Sequence, residues 1–100
     1  MHPLHIALHD GFQQSAVRVT VDGREVYSQQ GVTTDLSLSR ADAFDTQASA
    51  STALVEVSVE PGGHRGSTQI DVTQNPFLAI SLERDGTLSF QPSKELFRYM

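Results

Sequence analysis

The stretch Val17-Arg18-Val19-Thr20-Val21-Asp22-Gly23-Arg24-Glu25-Val26-Tyr27 decides the fold class. Three valines at every second position put one apolar face and one polar face on an extended chain, the period of a half-buried strand. Asp22-Gly23 then separates this run from the next. A two-residue type I′ turn needs positive φ at both central positions, which Asp and Gly tolerate, so the pair predicts a tight antiparallel hairpin. Tyr27 points to the face opposite Val26, either to solvent or with its ring in the core.

The same alternation recurs on both sides. Leu4, Ile6 and Leu8 alternate with His5, Ala7 and His9, and Asp10-Gly11 closes that strand. Beyond Gly31, Thr34–Ser39 reads as a strand with Leu36 and Leu38 on one face. Val55, Val57 and Val59 alternate with Glu56 and Ser58. Residues 61–66, Pro-Gly-Gly-His-Arg-Gly, read as a loop, and Thr68–Thr73 follows as a strand carrying Ile70 and Val72. Phe77–Glu83 is apolar on both faces at its start, which predicts an inner position in a sheet. Asp85-Gly86 predicts a second hairpin, leading to Leu88 and Phe90.

Residues 40–52 lose the alternation and become rich in Ala and Ser. Ser39 with Asp42 three residues on resembles a capping box. The segment therefore predicts a short helix near residues 40–48, or else an irregular crossover loop, with Phe44 pinning it to the core.

These runs predict an all-β, antiparallel β-sandwich of about seven or eight strands. Residues 1–100 form a single domain with an apolar tail at 94–100. The layout resembles immunoglobulin-like and transthyretin-like sandwiches, without the Cys-Trp-Cys core of antibody domains. The expected core is Leu8, Val17, Val19, Val21, Leu36, Leu38, Phe44, Val55, Val57, Val59, Ile70, Val72, Leu78, Ile80, Leu82, Leu88 and Phe90.

Charge and composition narrow the function classes. Seven Lys and Arg against twelve Asp and Glu give a formal net charge of −5. The bases are scattered and form no patch that could neutralise phosphates, which argues against nucleic acid as a partner. Without Cys there is no disulfide, thiol nucleophile or Cys-based metal site. No signal peptide and no long apolar stretch is present, so a soluble cytoplasmic protein that binds no membrane is expected.

Few constellations suggest chemistry. His5 and His9 share one face of the first strand, four residues or about 13 Å apart along it, and with Asp10 or His64 they are the candidate metal ligands. No Ser stands in a nucleophile elbow, and a 100-residue sandwich seldom encloses a catalytic cleft, so no enzyme and no cofactor is expected. The 61–66 loop could cradle an anion but lacks the Lys-Ser/Thr of a phosphate loop. A glycan site would have few aromatic platforms, with no Trp and only Tyr27 and Tyr99 as tyrosines. The tail gathers Leu96, Phe97, Arg98, Tyr99 and Met100, residue types that favour a docking segment for a protein partner or a homodimer mate. The sequence therefore predicts a non-catalytic interaction module that uses an edge strand or this tail. The alternative is a small-ligand domain that binds a metal through the histidines, or a glycan.

Overall fold

A computed structural model describes residues 2–35 and 41–94. They form eight strands: β1 (His2–Leu8), β2 (Ser15–Val21), β3 (Arg24–Val32), β4 (Asp42–Ala48), β5 (Thr52–Glu60), β6 (His64–Asp71), β7 (Phe77–Leu82) and β8 (Leu88–Ser93). They lie in two four-stranded sheets of order β4-β1-β7-β8 and β3-β2-β5-β6, hereafter sheets A and B. Among the described residues no helix is long and apolar enough to cross a membrane.

The central hairpin forms as its sequence predicts. Asp22 and Gly23 adopt φ of 51° and 82°, the left-handed pair a type I′ turn requires. Asp22 also ties this turn to β5. Its amide donates to the Leu54 carbonyl at 2.9 Å, and its carboxylate accepts from the Leu54 amide at 2.9 Å. Val17, Val19 and Val21 of β2 face inward beside Val55, Val57 and Val59 of β5. Across the interior, Leu4, Ile6 and Leu8 of β1 and Leu78 and Ile80 of β7 supply sheet A's half of the core. Each fully buried Val, Leu or Ile contributes roughly 1.5–3 kcal/mol, so these two facing sets carry most of the burial energy.

Among the described residues five of the six strand pairs are antiparallel, as expected, but β1 and β7 run parallel. The chain visits all of sheet B between them, so no tight turn fixes their relative direction. As the sequence of β7 predicts, it is an inner strand. The order is not that of an immunoglobulin constant domain, which keeps its first two strands in one sheet. Here β1 and β2 lie in opposite sheets.

Residues 42–48 correct the expectation of a helix near 40–48: they form β4, antiparallel to β1. Phe44 and Thr46 lie opposite the inward Ile6 and Leu4, while Asp45 and Gln47 lie opposite His5 and Pro3. Short and polar side chains concealed this period of two. The inward Asp42 is satisfied by the Tyr27 hydroxyl, which donates to it at 2.7 Å. Tyr27 therefore belongs to the core.

The 61–66 loop is shorter than predicted, because His64, Arg65 and Gly66 already pair with Val59, Ser58 and Val57 in β6. Leu36 and Leu38, with most of the expected Thr34–Ser39 strand, lie outside the described residues. Phe44, Leu82 and Phe90 are half-buried and pack against the core, not within it. Phe12 enters instead, wholly buried beneath the β1–β2 loop. That loop is held by Thr34, whose hydroxyl donates to the His9 carbonyl at 2.7 Å and accepts from the Phe12 amide at 3.1 Å. Gly11 makes the turn possible, since a Cβ there would stand 1.8 Å from the Leu82 carbonyl oxygen.

Candidate functional site

The four edge strands differ in how openly they present their backbones, and edges are where a sandwich can accept another chain. β3 carries two register shifts against β2 and contains Gly31 at φ 69°. β4 is closed by β3: the Arg24 guanidinium donates to the Gln47 carbonyl at 2.9 Å, and Tyr27 stacks on Phe44. β8 carries Pro92, which cannot donate a ladder hydrogen bond.

β6 keeps a regular backbone, with β8 of the facing sheet packed against it at Gly66. Its eight residues, His-Arg-Gly-Ser-Thr-Gln-Ile-Asp, pair with β5 in unbroken register from Val59↔His64 to Thr52↔Asp71. No proline, bulge or register shift interrupts it. In a regular edge strand, alternate N–H and C=O groups point away from the sheet and offer a template for one more strand.

Beside this edge, the outer face of sheet B is concave. A shallow depression of about 530 Å³ is lined by Arg18, Thr20, Glu56, Ser58, Arg65 and Ser67, among others. Strand register places Ser28, Arg18, Ser58 and Arg65 in one row across the sheet. Arg18 is neutralised by Glu25, with Nε and Oε1 2.9 Å apart. Arg65 makes no ion pair among the described residues, so the row ends at the open edge in an unmatched positive charge.

A second concavity of about 960 Å³ lies at one end of the sandwich. The β1–β2 loop, Thr33 and Thr34, His64 and the β7–β8 turn surround it. The His64 ring lies between two turns. A Cβ on Gly62 would come 2.6 Å from its Nε2, and one on Gly86 would come 2.9 Å from its Nδ1. Asp85 is held below the usual carboxylate range by hydrogen bonds, first from the Thr87 amide. The Asp85 and Thr34 side chains are thus engaged in holding turns.

Of the two histidines singled out as metal ligands, His5 lies on the outer face of sheet A, and His9 follows the end of β1, its amide donating to the Ile80 carbonyl at 2.8 Å. The His5 Nδ1–H donates to Asp45 Oδ1 at 2.8 Å, and the ring meets Phe77 edge-on at 5.8 Å between centroids. Among the described residues no group of three or more His, Cys, Asp or Glu is placed to hold a metal ion. The tail residues Leu96, Phe97, Arg98, Tyr99 and Met100 lie outside the described residues. Sequence reasoning missed the β6 edge because it assigned His64, Arg65 and Gly66 to a loop. The signal that could have found it is the absence of proline between His64 and Asp71.

No family model matches the chain, and no curated protein and no solved structure matches it significantly.

Proposed function

We propose that this domain is a non-catalytic protein-binding module that accepts an extended peptide segment by strand addition at β6. The observation that carries the reading is the regular, eight-residue β6 edge with unbroken register. Main-chain hydrogen bonds along such an edge supply affinity, and alternate side chains supply selectivity. What favours the transthyretin-like layout over the immunoglobulin-like one is that β1 and β2 occupy opposite sheets. The tail Leu96–Met100 is the other interaction element the sequence offers, for a protein partner or a homodimer mate.

The test is selection from a random nonapeptide library displayed on phage, run against the wild-type chain and an edge-blocked variant. Successive amides of β6 point alternately towards β5 and away from it. Of Ser67→Pro and Thr68→Pro, one therefore removes an outward amide and spares the ladder. The variant with the unchanged melting temperature is the edge-blocked one. The reading predicts peptides enriched on the wild type and lost on that variant. Equal enrichment on both overturns it. So does a wild-type dimer by light scattering that the edge-blocked variant abolishes, since the occupant of the edge is then a second copy.

A further inference from the structure

We propose that the strand accepted at β6 is an acidic–apolar segment, with a carboxylate side chain opposite Arg65 and a large apolar side chain opposite Gly66. This rests on the strand-addition reading above and adds the chemistry of the partner.

The outer face supplies the first requirement. Arg65 ends the row Ser28, Arg18, Ser58, Arg65, and a strand added beyond β6 places its own side chain next in that row. Neighbouring strands lie about 4.8 Å apart, within reach of a charge pair. Arg18 is already matched by Glu25. Glu56, on the strand paired to β6, is the acid of the same depression; it lies one row away, opposite Ser67, and its side chain makes no ion pair with Arg65. Among the described residues Arg65 thus stands at the edge without an ion-pair partner.

The inner face supplies the second requirement. Gly66 lies directly over β8: a Cβ there would stand 3.0 Å from Leu88 Cβ and 3.2 Å from Phe90 Cε2. Gly66 packs directly on Leu88 and Phe90 with no room for a side chain of its own, and Phe90 is half-buried. A large side chain on a neighbouring strand, opposite the edge glycine, covers the part of Phe90 left exposed. Positions opposite Arg65 and Gly66 are successive residues of the added strand. Successive residues point to opposite faces, so one segment meets both demands with an Asp or Glu next to a Phe, Tyr or Leu.

The experiment pans the same nonapeptide library on the wild-type chain and on Arg65→Glu, an exposed position whose variant is checked for an unchanged melting temperature. The expected result is an acid beside a large apolar residue on the wild type, and Lys or Arg at the acid's position on Arg65→Glu. A wild-type-selected peptide should bind Arg65→Glu about five-fold more weakly, the size of a cross-strand charge pair reversed. Enrichment of the same acidic sequences on Arg65→Glu overturns the proposal. So does edge-dependent enrichment without the acid–apolar pair, and in that case strand addition itself still stands. If the wild type enriches nothing that the edge-blocked variant does not, strand addition fails and this proposal falls with it.

Discussion

Tyr27 lies flat against Phe44, with ring centroids 4.5 Å apart and planes 14° from parallel. The pair joins the edge strands of opposite sheets. The Tyr27 hydroxyl completes the join by donating to Asp42. A stacked aromatic pair is worth about 0.5–1.5 kcal/mol beyond its buried area, and a hydrogen bond to a charged group about 1.5–3 kcal/mol. Tyr27→Phe keeps the stack and loses the bond, and should cost about 1.5 kcal/mol in urea unfolding. Phe44→Ala loses the stack and should cost more.

The same residue sets an alkaline limit. Burial first, then the bond to Asp42 and that carboxylate's charge, push the Tyr27 phenol well above its ordinary value. Its folded value is raised, so its contribution is complete below the unfolded value, about 10, and declines as pH rises above it. The melting temperature should therefore fall as pH rises above about 10, and less steeply in Tyr27→Phe. Parallel pH profiles of the two chains would contradict this assignment.

Gly11→Ala tests the β1–β2 loop. The added Cβ would run into the Leu82 carbonyl, at a residue whose φ is 92°. Both effects oppose the native turn, so the variant should lose about 3 kcal/mol or more, or fail to fold. Phe12→Ala, which empties the core beneath the same loop, should cost about 3–5 kcal/mol. Circular dichroism melts of the two variants check both values.

Asp22 separates turn chemistry from burial, being exposed yet bonded to the Leu54 amide. Asp22→Ala loses that bond and puts alanine at positive φ, for a cost of about 1–2 kcal/mol. Asp22→Asn keeps an acceptor and the preferred turn residue, and should remain within about 0.5 kcal/mol of the wild type. Equal losses in the two variants would assign the effect to charge instead.

How far the fold was legible depended on side-chain size. Wherever Val, Leu or Ile marked the period, as at Val17–Val21 and Val55–Val59, strand and inward face both followed from sequence. In β4 the inward positions are Asp42, Phe44, Thr46 and Ala48, too mixed to reveal an alternation. Asp42 faces inward only because Tyr27, distant in sequence, satisfies it. Phe12 was hidden because a single aromatic in a loop has no period. The parallel β1–β7 pair was hidden because pairing between distant strands leaves no local mark. The candidate edge was obscured for a related reason. Gly66 is a turn residue by composition, and only the closeness of Leu88 and Phe90 across the sandwich explains a glycine within β6.

The central claim is that β6 is an open edge that takes up a peptide strand. The direct measurement is residue-resolved amide hydrogen exchange of the wild-type chain, free and saturated with a peptide selected on it. In the free chain, alternate amides between His64 and Asp71 should exchange rapidly while those directed at β5 are protected. With peptide bound, the rapid set should slow by about ten-fold or more as each gains a strand partner. Protection that appears at the end cleft, or along β3 or β8, while the β6 amides stay unchanged, would contradict the account.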